Sequence, residues 1–305
     1  MNNYGKTLKY IREGRKISQS KMLKSRDRSQ YSRIENDKSI LKVETLEYLC
    51  EKLGVSLAEF VSLNHANDFL DSMVLKFREC AREPNNLEKK QSFLESFKII
   101  DDKSVIDLSR MEYNFKYTVR AVLPFYWKDM KPLTQTEVDH LYEHLIGSSF
   151  FGQYDYMLAM NIAKLLNKEQ MARLADIMYP VQHYATRNDL TKQYSNLLIT
   201  NAISYFIFEE DYPLALEYVE KAQKNLALHD SYYLHLNLLF HKNLTLSLLK
   251  KETKYIEKTR EIIRIIHDIG DLNTAKVLET ELNNLIHFPN YYTQTKQISE
   301  VTAST

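Results

Sequence analysis

From about residue 68 to 288, apolar side chains recur at spacings of three and four, and little in that stretch breaks a helix. Leu70, Met73, Val74 and Phe77 form one such stripe, and Phe93, Phe97 and Ile100 another. Tyr194, Leu197 and Leu198 form a third, which Asn201 continues. A helix turns once in about 3.6 residues, so each set lies on one helix face. Only six Gly and six Pro occur in 305 residues, too few for the turns of a β-rich or βαβ protein. Breaks fall at Glu83-Pro84-Asn85-Asn86, Lys131-Pro132, Gly147, Asn167 and Arg187-Asn188-Asp189. They continue at Asp211-Tyr212-Pro213, His229-Asp230 and Gly270-Asp271. The fold class is therefore all-α, with helices of about 14–20 residues in antiparallel pairs of about 40.

A period of that length predicts a helical solenoid; the competing architecture is an irregular helical bundle. Tyr212, Ala215, Val219 and Ala222 match the second helix of a tetratricopeptide (TPR) repeat, where small residues let two helices approach closely. The other units are degenerate, so the expected body is TPR-like. The concave face of such an array commonly holds an extended peptide, with polar side chains supplied by the inner helix of each pair.

The N-terminal region reads differently. Ser18 to Leu23 and Ser29 to Glu35 suggest two short helices joined by a tight connection, with Ser18 and Asp27 as N-caps. Arg28, Ser29 and Gln30 then stand at the exposed tip of the second helix, while Tyr31 and Ile34 face inward together. A recognition helix presents its N-terminal side chains to the major groove in this way. Arg28 and Gln30 are the expected base readers, because Arg pairs bidentately with guanine and Gln with adenine. Gln19, Ser32 and Arg33 are assigned to phosphate.

Charge supports this division. Residues 1–65 hold 13 Lys/Arg against 8 Asp/Glu, and the remainder holds 28 against 32. A basic head on a mildly acidic body suits phosphate binding by the head. Two cysteines exclude a disulfide-rich secreted fold. Cys50 lies among apolar helix positions and is expected to be buried; Cys80 is expected to be the more accessible thiol. No signal peptide and no apolar run near 18 residues is found, so a cytoplasmic protein without a membrane partner is expected.

The phrase "SQSKMLKS…DRSQYSRIEND…VETLEYLCEKLGVSLAEF" resembles the DNA-binding domain of the lambda-repressor (XRE) class over residues 4 to 63. Asp37 stands where that class usually has Gly, and Leu41 where it often has Pro. Asp tolerates the left-handed conformation better than most residues, so the turn is expected to be kept. With the helical body behind it, the chain resembles the Rgg, PlcR and PrgX group of bacterial pheromone-responsive regulators. The phrases "SSFFGQYDYMLAMNIAKLL" (148–166), "YPVQHYATRNDLTKQYSNLLITNAISYFI" (179–207) and "SYYLHLNLLFHKNLTLSLL" (231–249) carry that resemblance.

The resemblance implies a transcriptional regulator controlled by a short signalling peptide, in which inner-helix Asn residues hold the peptide backbone. Asn161, Asn201 and Asn237 recur on three successive inner helices, and an amide both donates to C=O and accepts from N–H. Spacing adds Lys164, Tyr205 and His241, with Tyr154, Tyr156 and Phe240 shaping the groove. Lys164 is matched to a peptide carboxylate and Tyr205 to an apolar side chain. For Phe240 the blander alternative is interhelical core. A homodimer is expected, since one small helix-turn-helix unit reads a half-site. Helices near 253–288 are expected to supply its surface.

The expected domains are 1–65 (DNA binding), 66–288 (peptide sensing and dimerisation) and 289–305 (polar tail). Enzyme chemistry is poorly represented and no cofactor is expected. His140-Leu141-Tyr142-Glu143-His144 matches the H-x-x-E-H pattern of inverted zinc metalloproteases. No distal Glu ligand is identifiable and so short a pattern arises by chance, so a solvated helix face is the reading adopted. Alternatives to peptide control are a regulator sensing a protein or small molecule, and a TPR scaffold or inhibitor without DNA function.

Overall fold

Helices begin where the sequence supplies caps. Asn86 accepts from the Lys89 N–H, Asn188 from Thr191, Asp211 from Leu214 and Ser231 from Leu234. Ser109 with Glu112, Thr134 with Glu137 and Asn167 with Gln170 form reciprocal capping boxes. Each satisfies backbone donors that a helix start leaves without partners. The computed structural model describes residues 4–22, 28–65, 69–225 and 231–287. Among them there are helices and 3₁₀ turns and no strand, as the scarcity of Gly and Pro predicts.

The chain separates into two compact units, Met1–Lys103 and Ser104–Thr305. The break thus falls at 103/104, after the first helical hairpin, whereas the sequence places the end of the DNA-binding segment at residue 65. The first unit holds α1 (Tyr4–Gly14), α2 (Arg28–Glu35), α3 (Val43–Leu53), α4 (Leu57–His65), α5 (Phe69–Arg82) and α6 (Leu87–Asp101). Leu8, Met22, Tyr31, Leu49, Leu53 and Phe60 form the buried centre of its first 65 residues. The second unit holds α7 (Arg110–Val122), α8 (Gln135–Ile146), α9 (Gln153–Ile162), α10 (Lys168–Met178), α11 (Asp189–Phe208), α12 (Tyr212–Lys224), α13 (Tyr232–Lys250), α14 (Thr253–Asp268) and α15 (Leu272–His287).

Within the second unit α7, α9, α11 and α13 pack side by side as one layer (the A layer). In the other layer α8 packs on α10, and Tyr218 of α12 donates its hydroxyl to Ala172 O and Asp176 of α10, both at 3.0 Å. Each hairpin therefore rests on its sequence neighbours, as in a solenoid. Ala215, Val219 and Ala222 are all buried on α12, as the TPR-like spacing predicts. His229-Asp230 lies outside the described residues.

The cysteine expectation is half overturned. Cys50 is buried as predicted, but so is Cys80, at 1% exposure. Cys80 continues the Leu70, Met73, Val74, Phe77 face of α5, which packs on α6. Its thiol donates to Lys89 O at 3.5 Å. Burial pushes both thiols up from their ordinary pKa, so both are poor nucleophiles. Neither thiol should react with an aromatic disulfide reagent in the native protein, and both should react after denaturant is added. Prompt native labelling of either would contradict this packing.

Candidate functional site

In the head, the recognition helix is α2. Tyr31 and Ile34 are buried inward as predicted, while Ser29, Gln30 and Arg33 are exposed and Ser32 is half-buried. The helix begins at Arg28, whose side chain, like all of Asp27, lies outside the described residues. The expected first helix is only a 3₁₀ turn over Gln19–Lys21 among the described residues. Ser18 does not cap it; its hydroxyl meets that of Ser20 at 3.0 Å.

Gln19 requires a correction. Its amide nitrogen donates to Glu35 Oε2 at 2.6 Å, so the group assigned to phosphate faces inward. Glu35 is buried and also receives Arg12, with Nε to Oε1 at 2.5 Å and Nη2 to Oε2 at 3.1 Å. Arg12 Nη1 donates to Ile17 O at 2.8 Å. Burial opposes the Glu35 charge, but hydrogen bonds from Arg12 and Gln19 outweigh it and hold the carboxyl below its usual pKa. The cluster fastens α1, the 17–19 turn and the end of α2 to one another, which fixes the recognition helix in the head. Asp37 adopts φ 53°, so the left-handed turn expected in place of Gly is kept. Its Oδ1 accepts the Gly5 N–H at 2.9 Å.

In the body, the three Asn share one level of the A layer but not one environment. Asn201 donates across to Met160 O at 2.9 Å, beside Asn161. One turn further along, Ser204 meets His241 Nε2 at 2.7 Å, four residues on from Asn237. Asn201 is exposed and Asn161 half-buried, its amide folded back on Met157 O at 2.7 Å. Asn237 is buried, with its amide on Tyr233 O at 2.9 Å.

His241 is buried as well. Its Nδ1 contacts Asn237 O at 2.7 Å and its Nε2 lies 3.7 Å from Glu281 Oε1. Tyr156 is 1% exposed and donates its hydroxyl to Met178 O at 2.7 Å; Tyr154 and Phe240 are buried too. These five residues belong to the interhelical core and have no open face for a ligand. The reason is periodicity: on a helix packed on several sides, i+4 spacing continues the buried face as readily as the open one.

Four of the expected residues keep access to solvent: Asn161, Lys164, Asn201 and Tyr205. Tyr205 is half-buried, and burial followed by the charge of Glu209 pushes its hydroxyl up to about 12. Lys164 is exposed, but its ammonium lies 3.4 Å from the Phe125 ring centroid. Desolvation there lowers its pKa to about 8.

The H-x-x-E-H stretch is split by its helix. His140 and Glu143 face solvent, whereas His144 turns inward to Asn114 Oδ1 at 3.0 Å. Asn114 in turn donates to Asp155 at 2.8 Å, and Arg110 does the same at 2.8 Å. Sequence gave no sign of this network, which ties α7, α8 and α9 together. No cluster of His, Cys, Asp and Glu suited to a metal occurs among the described residues.

A helix-turn-helix head with an outward-facing N-terminal turn, on a helical-repeat body, defines a class of DNA-binding transcriptional regulators. The helix-turn-helix family model matches residues 8–60, and that of the HTH-type transcriptional regulator Rgg, C-terminal domain, matches residues 102–280. The chain belongs to the Rgg family of transcriptional regulators and is not an enzyme. Its fold is similar to that of the SHP pheromone receptor Rgg2 of Streptococcus dysgalactiae, with 21% identity and a TM-score of 0.72 over 92% of this chain and 99% of that one. PrgX in its complex with cCF10 gives 20% identity and a TM-score of 0.74, over 93% and 99%. A transcriptional regulator from Listeria monocytogenes EGD-e gives 14% and 0.75, over 95% and 99%.

Proposed function

We propose that this regulator is controlled by a short signalling peptide that lies along the A layer of its body and changes how the head engages its operator. The observation that carries this reading is the solvent-accessible set of Asn161, Lys164, Asn201 and Tyr205 on two successive turns of adjoining helices. Two structural neighbours, Rgg2 and the PrgX–cCF10 complex, are a pheromone receptor and a peptide-bound regulator, and the proposal extends that behaviour to this chain. The protein works in the cytoplasm as a homodimer; no described helix is long and apolar enough to cross a membrane. Exposed Ile265, Ile269, Leu272 and Val277 on and between α14 and α15 suit the dimer surface. The test is a gel-shift titration of the full chain on its own promoter region, with and without synthetic octapeptides from the short reading frames beside the gene. A peptide-dependent shift is expected; no response to any of them counts against peptide control.

Asn201 is the expected central clamp. Its carbonyl oxygen and second amide hydrogen remain for a peptide backbone, while the first hydrogen holds Met160 O. Removing them leaves two peptide groups unpaired, at about 1–3 kcal/mol or roughly tenfold to a hundredfold in affinity. Asn201→Ala should therefore bind an active octapeptide that much more weakly in fluorescence anisotropy, with unchanged helicity. Wild-type affinity would remove the clamp. At the head, Arg28→Ala should cost about 1–3 kcal/mol at the operator and relax sequence preference at one position. An unaltered operator titration would take Arg28 off the list of base readers.

A further inference from the structure

We propose that a cavity at the end of α7 seats the C-terminal residue of the bound peptide, its terminal carboxylate on Lys164 Nζ and its apolar side chain among Phe125, Met130, Leu133 and Leu165. This rests on the reading that a peptide lies along the A layer.

The cavity is about 270 Å³, and Pro124, Phe125, Met130, Leu133 and Leu165 make its walls largely apolar. Pockets that hold a whole small molecule run to about 300–1,000 Å³, so this one suits one or two side chains. Its outer wall is fixed. Arg120 grips Glu137 through Nη1 to Oε1 at 2.5 Å and Nη2 to Oε2 at 3.0 Å, and Nη2 also reaches Pro132 O at 3.3 Å. Arg120 is thereby engaged and not available as an anion receptor.

Two cations remain, Lys128 on the cavity wall and Lys164 beside it. The Lys164 ammonium lies on Phe125, which lines the cavity, and no carboxylate pairs with it among the described residues. Its place three residues on from Asn161 chooses it over Lys128 as the end of the row. Phe125 itself is 60% exposed, so a ligand reaches both groups from solvent. An ammonium stacked on a ring and without a counter-ion favours an arriving carboxylate.

The geometry favours a terminal carboxylate over that of an Asp or Glu side chain. At a C-terminus the carboxylate and the apolar side chain diverge from one Cα, and here a cation and a one-residue apolar cavity meet at Phe125. The row also ends there. Tyr205 and Asn201 lie one turn apart on α11, Asn201 meets the carbonyl beside Asn161, and Lys164 follows Asn161 by three residues. A peptide on that row with its last residue in the cavity runs across the α11–α9 seam towards α7.

The test captures a random octapeptide library on immobilised full-length protein, in free-acid and in carboxamide form, and sequences what is retained. Free-acid peptides ending in Leu, Ile, Val, Met or Phe are expected. The carboxamide forms of those peptides should bind the wild type at least about tenfold more weakly. Lys164→Gln should bind both forms alike, and Lys164→Arg should keep the preference for the acid. Leu133→Ala should keep the acid preference but lose the selection for an apolar last residue. Equal binding of acid and carboxamide forms, with both weakened by Asn201→Ala, overturns the terminal anchor and leaves the peptide reading standing. So does an acid preference that Lys164→Gln does not reduce, or one satisfied by an internal Asp or Glu. Retention of no peptide in either form overturns the anchor and the peptide reading together.

Discussion

Glu35→Ala should unfold the head while the body keeps its helices. The substitution leaves the Arg12 guanidinium buried without its carboxylate, and strands the Gln19 amide beside it. Breaking a buried pair from one side costs about 3–5 kcal/mol. A head of about 60 residues has only about 3–9 kcal/mol in total, so the loss takes most of its stability. Operator binding should disappear in a gel shift, whereas body helicity and thermal unfolding of the second unit should persist. Replacing both partners, as Arg12→Met with Glu35→Leu, should recover much of the loss, since no charge is then left buried. A Glu35→Ala protein with a wild-type melting curve would show that the cluster contributes little. The same group sets an acid limit. Because its folded pKa is depressed, its contribution is present above the ordinary carboxylate pKa and fades as pH falls below it.

Gly5→Ala should be nearly as damaging, for a steric reason. A Cβ at Gly5 would stand 2.4 Å from Ile34 O and 2.6 Å from Glu35 O. Those carbonyls belong to the last turn of α2, so backbone must move and no side chain can relieve the clash. Overpacking of this severity costs about 3 kcal/mol or more, and it also loosens the Gly5 N–H from Asp37. Gly14→Ala is the control, because nothing lies within 4 Å of its Cβ position. Equal melting temperatures for the two variants would mean that α1 and α2 do not approach this closely in solution.

What the sequence made legible were the local features. Breaks and the TPR-like spacing depend on residues within four or five positions of each other, and these formed where expected among the described residues, although Ser18 does not cap. Asp37 in the left-handed turn belongs with them. Pairings across long separations left no trace, since Arg12 and Glu35 are 23 residues apart and Arg110 and Asp155 are 45 apart. Such partners carry no periodic signature. The candidate site shows the same limit. Level along the helices was readable, so Asn161, Asn201 and Asn237 align, but rotation about each helix was not. α9, α11 and α13 bury residues on most of their circumference, which leaves weak contrast between open and closed faces. Asn237, His241 and Tyr156 fell on the closed side for that reason. Cys80 was misjudged although its place was legible, since it follows Phe77 by three on the Leu70, Met73, Val74, Phe77 stripe.

The seams of the body have a mechanical consequence. Near their C-terminal ends one is crossed by the Asn201 amide on Met160 O and the next by the Lys164 ammonium on Phe125, while at the N-terminal ends Asn188 on Gln153 and Arg110 with Asn114 on Asp155 pin them. Seams pinned at one end can flex at the other like the joints of a finger. A molecule laid across both would act as a splint, fixing two joint angles at once while the hairpins themselves stay rigid. The signal would then be a change of curvature, handed from hairpin to hairpin, with no side chain in the core needing to repack.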